Sequence, residues 1–288
     1  MKTFAFISLA AVASIIVAPA AVAAPPLKFA TVAPDGSTWM KIMRGIDADW
    51  RKKAPGAAIK FYPGGVMGDE KDVLKKMRFG QIHGAGFTGR GLGAIFSDVR
   101  VLDLPGILPS DADADKVTET FFDRFAKGFE SKGFILLGFT EVGPVHIFSK
   151  KPIKTVADIR GAKVWVWEGD PLAAEMFKAF GVTPVPLPIT DVITSLETGL
   201  IDTVYASALG AVALQWHTRV KYMSAASLAR ATGAVLVTKS YFDKLSAAER
   251  ESLRAIARPA LRALTAASRK ENTKAMAAIQ KAGVAMTP

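Results

Sequence analysis

The sequence predicts an α/β protein of two lobes, and three observations lead to this prediction. Strand-like segments at 27–32, 58–62 and 81–87 alternate with amphipathic helical segments, an order typical of a parallel sheet covered by helices. The same alternation starts again near residue 146. A long alanine-rich helix is predicted after residue 246, and it is long enough to pack on both lobes.

The first lobe is indicated by capped helices and a clear apolar stripe. Ser37 is a plausible N-cap after the turn at 34–37, and Asp69 caps the helix that follows the loop at 63–70. The helix after Ser37 carries its apolar residues at helical spacing. These residues are Trp39, Ile42, Met43, Ile46 and Trp50. Further strands are predicted at 134–139 and 145–149, and Gly91 and Gly93 argue against a stable helix around them.

The second lobe is predicted from turn and capping signals. Thr155 and Asp158 form a capping box, and Asp170 precedes Pro171 as the N-cap of another helix. The remaining strands are predicted at 163–166, 182–188, 203–206, 222–228 and 234–238, and the remaining helices at 191–198 and 208–216.

Ser246 and Glu249 form a capping box that opens the terminal helix, which Pro259 is expected to kink or break. We therefore expect a lobe I at 24–145, to which part of about 229–250 crosses back, and a lobe II at 146–228. Helices at 246–288 would brace both lobes. This is the two-lobed periplasmic-binding-protein fold, with crossing strands, and it closes about a hinge on a ligand.

Trp165 and Trp167 alternate along one predicted strand and therefore lie on the same face of it. They stand beside a helix N-terminus, where α/β proteins often form a ligand cleft. The alternative is that both rings fill a hydrophobic core. The pattern leaves these two interpretations about even.

The N-terminal segment has the pattern of a cleaved secretory signal. It has a charged start with Lys2, an apolar middle, and an Ala-Val-Ala exit that places cleavage near Ala23. Retention as an anchor stays open. No later run approaches the ~18 consecutive apolar residues that a membrane span needs, so an exported, periplasmic protein is predicted.

Charge and cysteine content narrow the function classes. The formal net charge is +11, or +10 without Lys2, but lysines and arginines are scattered and form no run longer than 51–53. We therefore predict no nucleic-acid partner. The chain has no cysteine, so its stability in an oxidising compartment rests on its core.

The motifs of catalysis and cofactor binding are weak. The Gly-x-Gly-x-x-Gly run at 84–89 follows a third strand, not a first, and is interpreted as a loop bordering a cleft. The acidic run at 111–115 lacks the glycine and glutamate of a calcium loop. Three distant histidines and the absence of Gly-x-Ser-x-Gly give no zinc or nucleophile signature. We predict no catalytic residue, no metal, no cofactor and no enzyme activity.

Seven stretches, in order and spacing, resemble the DctP-type solute-binding proteins of tripartite ATP-independent periplasmic (TRAP) transporters. One of them is Lys163-Val164, directly before Trp165. The other six are Phe-Tyr-Pro-Gly-Gly (61–65) with Gly68, Leu-Asp-Leu-Pro (102–105), Ser-Lys-Lys-Pro-Ile (149–153), Asp-Ile-Arg-Gly (158–161), Gly-Val-Thr-Pro-Val-Pro-Leu-Pro (181–188) and Leu-Glu-Thr-Gly-Leu-Ile-Asp (196–202). The resemblance covers the mature chain. It implies capture of a solute between two lobes and its delivery to an ion-driven membrane permease.

The sequence departs from this family where the resemblance implies ligand contacts. Trp165 stands where an arginine usually pairs with the substrate carboxylate, and Pro144 replaces a second arginine. The run Thr-Val-Tyr-Ala-Ser (203–207) replaces a more polar one. An indole offers one donor and a broad apolar face, whereas guanidinium binds carboxylates bidentately. We therefore expect a hydrophobic or amphipathic ligand, carboxylated or not, as in a subset of the family associated with helical-repeat partner proteins.

The predicted ligand site combines these positions. Its members are Trp165, Trp167, Tyr205 and Trp216 as walls, Trp39 as a cap, Thr88 as a hydrogen-bonding group, and Pro144 and Ser207 at the altered positions. One alternative keeps an ordinary organic acid, held by Lys163 or Arg90. Another is a partner-binding scaffold without a transported ligand, and a periplasmic enzyme ranks last.

Overall fold

The computed structural model describes residues 25–288. The predicted signal segment at 1–23 and its cleavage near Ala23 lie outside the described residues. Within 25–288, no helix combines the length and the apolar character needed to cross a membrane.

The first elements confirm the predicted alternation of strands and helices. They are β1 (Leu27–Ala30), α1 (Thr38–Lys53), β2 (Ile59–Tyr62), α2 (Glu70–Arg78) and β3 (Gly84–Thr88). Strand β1 pairs in parallel with both β2 and β3. Ser37 caps α1 and Asp69 caps α2, as predicted. Local capping chemistry therefore sets the start of both helices.

The next elements correct two predictions. They are α3 (Gly89–Gly93), a 3₁₀ turn at Ser97–Asp103, α4 (Asp111–Thr120), α5 (Phe122–Ser131) and β4 (Phe134–Ser149). The glycine-rich run forms the short helix α3 despite its low propensity, because it is packed between β3 and the 3₁₀ turn. The strands predicted at 134–139 and 145–149 are one strand of 16 residues.

Strand β4 stays continuous through a Gly-Pro pair that normally interrupts pairing. β4 pairs with a later strand at Ala229–Thr238, and the register between the two strands shifts twice. The shifts lie between Leu136 and Gly138 and between Glu141 and Gly143 of β4. Gly143 takes φ +120°, a conformation that favours glycine. The bulges absorb the irregular residues and let both ends of β4 remain paired.

The second half contains α6 (Val156–Ile159), β5 (Trp165–Trp167), α7 (Pro171–Ala179), β6 (Val185–Leu187), α8 (Val192–Thr198), β7 (Thr203–Ser207), α9 (Ala208–Ala213) and β8 (Tyr222–Ser224). Strands β5 and β6 form a small parallel sheet, and β7 and β8 pair with β4. Helix α9 ends at Ala213, three residues before Trp216, where the sequence predicted its end. Gln215 adopts φ +61° there, which stops the helix.

The last elements return to the first half. They are β9 (Ala229–Thr238), α10 (Lys239–Phe242), α11 (Ala247–Lys281) and β10 (Ala285–Thr287). Strand β9 lies antiparallel between β3 and β4, and the main sheet has the order β10-β8-β4-β9-β3-β1-β2, with β7 paired to β4 beside it. The chain therefore crosses between the two halves on β4 and again on β9.

Helix α11 continues through Pro259 from Ala247 to Lys281, so the helix does not break there; the predicted kink stays a prediction. Pro259 is exposed, and the carbonyl of Ala255 that loses its partner is on the same solvent-facing side. Leu253, Leu261 and Leu264 are buried on the opposite face. Their burial stabilises the helix enough to outweigh one missing backbone hydrogen bond.

The hydrophobic core is divided into four clusters. Two hold side chains from 27–139 and 234–264, and two hold side chains from 147–223 and 275–284. Helix α11 contributes Leu261 to the first half and Ile279 to the second. The fold is thus the predicted two-lobed α/β architecture with a long C-terminal helix. The predicted lobe boundaries stay a prediction.

Candidate functional site

A cavity of about 520 Å³ lies between the two halves of the fold. Seven of the eight predicted site residues line it: Trp39, Thr88, Trp165, Trp167, Tyr205, Ser207 and Trp216. Pro144 is not among the lining residues, whereas the neighbouring Val145 is. Pro144 lies on β4, where it pairs with Arg230 of β9.

Four aromatic rings form one wall of the cavity. Trp165 stacks on Tyr205 with centroids 5.0 Å apart and meets Trp216 edge-on at 5.2 Å. Trp167 lies 6.0 Å from Trp165 on the same strand face. Only 1% of Trp165 is exposed to solvent. The ring therefore belongs to the lobe core and to the cavity wall together, and the two interpretations of the sequence were not exclusive.

The single polar group of Trp165 is already bonded within the lobe. Its indole N–H donates to the carbonyl of Leu187 on β6 at 3.0 Å. A buried N–H with a partner is stable and has no donor left for a ligand. At this position the cavity presents only the ring.

The glycine run on β3 allows close packing instead of cradling a phosphate. A Cβ on Gly86 would meet the ring of Trp39 at 2.5 Å, and one on Gly91 would meet the Glu70 carboxylate at the same distance. The run is therefore not the predicted loop but a strand and a short helix that bring Trp39 and Glu70 against the backbone. Its predicted position beside a cleft holds, because Gly86 and Gly89 line the cavity.

Asp69 joins the two lobes through Trp167. The Trp167 N–H donates to both carboxylate oxygens of Asp69, at 3.0 and 2.7 Å, and the backbone N–H of Ile189 donates to it at 3.2 Å. The sequence marked Asp69 only as a helix cap. It gave no signal for the second role, since Trp167 is 98 residues away.

Arg90 is a second link between the lobes. Its guanidinium donates to the backbone carbonyl of Glu168 and lies 5.8 Å from the centre of the Trp167 ring. The side chain is largely buried. Arg90 is thus held by a carbonyl and a π face, and among residues 25–288 no carboxylate forms an ion pair with it.

Arg100 makes the third link. It donates twice to Asp170 across the lobes, at 2.9 and 3.1 Å, and lies 3.3 Å from Asp103 within its own lobe. Burial raises the pKa of Asp103 to about 6, although Arg100 and the N–H of Thr232 act in the opposite direction. Asp170, predicted as a helix cap, is therefore also an ion-pair partner.

Glu70 is a buried carboxyl beside the cavity. Burial raises the pKa of Glu70 to about 8, against the opposing effects of Thr88 and Arg90. One oxygen accepts the Thr88 N–H at 2.6 Å, and the other lies 3.1 Å from the Thr88 hydroxyl. A protonated Glu70 fits both contacts. Its carbonyl oxygen accepts the N–H of Thr88, and the Thr88 hydroxyl can accept the carboxyl proton because a hydroxyl accepts as well as donates. Thr88 is thus bonded to Glu70.

Two further predicted site residues have structural bonds. Ser207 caps α9 by accepting the N–H of Gly210 at 3.0 Å. The Tyr205 hydroxyl accepts the N–H of Trp167 at 3.4 Å, and burial raises the pKa of Tyr205 above its ordinary value. Tyr205 is therefore neutral at physiological pH and acts as an aromatic wall.

Within residues 25–288, no group of three or more His, Asp or Glu side chains could hold a metal ion. The cavity combines an aromatic wall with paired charges. Such a surface can enclose an organic molecule and exclude water from it.

Comparison with known proteins gives one matching family model. Residues 29–288 match the bacterial extracellular solute-binding proteins, family 7. The chain is 28% identical over 201 residues to the ectoine/5-hydroxyectoine-binding periplasmic protein of Ruegeria pomeroyi, covering 67% of this chain and 58% of the relative. It is 27% identical over 190 residues to the 2,3-diketo-L-gulonate-binding periplasmic protein of Escherichia coli, covering 65% and 58%. The chain thus spans under two thirds of each relative's length.

Solved structures share the fold at low sequence identity. A TRAP periplasmic solute-binding protein from Pseudomonas putida F1, with bound D-glucuronate, has a TM-score of 0.86 at 20% identity, covering 91% of this chain and 87% of that one. A second, from Desulfovibrio salexigens with bound orotic acid, has a TM-score of 0.86 at 22% identity, covering 91% and 85%. These similarities establish the fold.

The raised pKa of Glu70 predicts a pH-dependent stability. The folded state binds a proton more tightly than the unfolded state, whose pKa is near 4.5. The free energy of unfolding should therefore fall as pH rises from about 5 to 8, by up to about 1.4 kcal/mol per pH unit. Urea unfolding of the wild type and Glu70→Gln at several pH values measures this. The difference between the two proteins should shrink toward acid pH, and parallel profiles would contradict the prediction.

The bonds of Asp69 predict that Trp167 favours the closed arrangement of the lobes. Trp167→Phe keeps an aromatic ring but removes the donor, and a hydrogen bond to a charged group contributes about 1.5–3 kcal/mol. We expect a larger radius of gyration by small-angle scattering. Trp39→Phe is the matched control, because that indole lies outside these interlobe bonds. An unchanged radius in Trp167→Phe, or equal changes in both variants, would contradict the role of this bond.

Proposed function

The chain belongs to the bacterial extracellular solute-binding proteins of family 7, and from this premise we propose that it captures a small molecule between its two lobes. It then delivers that molecule to a TRAP-type membrane permease. The cavity between the lobes and the links that Asp69, Arg90 and Arg100 make across it support this function. The family consists of binding proteins, so no reaction is assigned. In this proposal, the two lobes close around the solute.

The proposed place of action is the periplasm. The two relatives described above are named as periplasmic proteins. The predicted signal at 1–23 would supply the export step. A helical-repeat partner stays a prediction from the resemblance alone.

We propose that the ligand is hydrophobic or amphipathic. The observation that carries this proposal is the wall formed by Trp165, Tyr205 and Trp216, with the Trp165 N–H already bonded to Leu187. An aromatic wall without a free donor favours burial of apolar surface. It offers a carboxylate nothing at the position where the family resemblance implies an arginine.

The relatives favour a competing candidate, an ordinary organic acid. One relative is named for diketogulonate, and one structure contains glucuronate. The two cations considered for this role are already bonded to backbone carbonyls, however. Lys163 is not among the cavity-lining residues and donates to the carbonyl of Gly199 at 3.0 Å. Arg90 is bonded to Glu168.

Ligand titration followed by tryptophan fluorescence separates the two candidates. We expect decanoate to change the emission of the aromatic wall, and succinate and glucuronate to have little effect. Trp165→Ala should weaken decanoate binding about tenfold or more, since buried aromatic anchors dominate binding energy. Phe79→Ala, which removes an exposed aromatic ring that does not line the cavity, should leave decanoate binding unchanged.

Trp165→Phe provides a second variant in case the alanine variant does not fold, and circular dichroism checks both. Tight binding of succinate or glucuronate by the wild type, with no response to decanoate, would refute the proposed ligand class. Capture of a solute as such would then still stand.

A further inference from the structure

Arg230 lines two cavities at once. It is on β9, directly opposite Pro144 on β4. It lines the interlobe cavity and also a neighbouring cavity of about 530 Å³. The two cavities share three lining residues, Thr140, Glu141 and Arg230. The Arg230 side chain therefore belongs to the partition between an aromatic cavity and a more polar one.

The hydrogen bonds of Arg230 are incomplete. Its Nη1 donates to Glu141, and its Nη2 lies 2.8 Å from Asp111. Its Nε is a buried side-chain nitrogen that has no hydrogen-bond partner among the described residues. The Nε and Nη2 atoms form the edge that a carboxylate binds bidentately. On this edge, Asp111 is within ion-pair distance of Nη2, and Nε is without a partner among the described residues.

The charges around Arg230 leave a buried excess of positive charge. Glu141 also accepts from Arg269, at 2.7 and 3.1 Å, so two arginines share one buried carboxylate. The side chains of Asp111 and Asp115, which complete the cluster, are more than half exposed. Ion pairs with exposed carboxylates are weak because water screens them. Asp111 is therefore a partner that a buried carboxylate can displace.

We propose that Arg230 binds the carboxylate head group of an amphipathic ligand whose apolar body lies against the aromatic wall. This inference rests on the proposed function and names the polar half of its ligand. On binding, the ligand carboxylate replaces Asp111 at Nη2 and reaches Nε with its other oxygen. Glu141 keeps Arg269 as its partner during this exchange.

The position of Arg230 also bears on the missing arginine at residue 144. The resemblance implies an arginine at 144, and residue 144 pairs with 230 in the β4–β9 ladder. A guanidinium is thus present one strand away from the predicted place. The other two arginines that line the cavity, Arg90 and Arg100, are bonded across the lobes. A ligand that took the Nη2 of either arginine would replace a contact between the lobes.

A comparison of decanoate with 1-decanol tests the head-group assignment. The two probes share an apolar chain and differ in the carboxylate. In Arg230→Gln we expect the Kd for decanoate to rise about 10–100-fold, as for the loss of a charge-assisted pair, and the Kd for decanol to stay within about twofold. Arg262→Gln is the matched control, since Arg262 is exposed, pairs with Glu119 and lines only the second cavity.

Asp111→Asn should have the opposite effect on decanoate affinity to that of Arg230→Gln. Removing the exposed competitor should tighten decanoate binding severalfold and leave decanol unchanged. A purely structural role of Arg230 would weaken both probes together and give no gain in Asp111→Asn. That result, or decanoate binding that is unaffected in Arg230→Gln, would overturn the inference while hydrophobic ligand binding stands. Failure of the wild type to bind either probe would overturn both proposals.

Discussion

The burial of Trp165 between the core of the second lobe and the cavity determines much of the site. Its ring is held by Tyr205 and Trp216, and its N–H is held by Leu187. Replacing it by a cation would place a charge in this aromatic cluster at a high desolvation cost. The cavity therefore presents an apolar surface at the place where the family resemblance implies a guanidinium.

Three charged side chains that the first half contributes to the site form hydrogen bonds with the second lobe instead of facing a ligand. Asp69 is bonded to Trp167, Arg90 to Glu168, and Arg100 to Asp170. Each link joins a residue of the first half to the loop around β5. Because this loop continues from the aromatic wall, lobe closure and the shape of the cavity are coupled. Glu70, neutral at acid pH, adds no fixed charge to this apolar space.

Local signals predicted the fold well. Ser37 and Asp69 start their helices because capping depends on residues within one turn. Tertiary packing explains the wrong predictions. Pro259 does not break α11, because the buried leucines of this helix pack into the core. Strand β4 passes through Gly143 and Pro144 because β9 pairs with both sides of the bulge. Propensity alone does not contain these contacts.

The candidate site was predictable in part. The aromatic members were found because Trp165 and Trp167 alternate on one strand and Tyr205 lies in a marked departure from the family pattern. Contacts between distant residues were not predictable. Asp69 is 98 residues from Trp167, and Arg230 is 89 from Glu141. Their roles depend on sheet register and lobe packing, which one sequence does not reveal.

Mass spectrometry of the molecule that co-purifies with the protein tests the central claim most directly. An apolar cavity closed by interlobe bonds retains its ligand through gentle purification, so native and denaturing spectra should differ by the mass of that ligand. We predict an amphipathic carboxylic acid with a substantial hydrocarbon or aromatic body. A sugar acid, a short dicarboxylate or ectoine bound in stoichiometric amount would contradict the account.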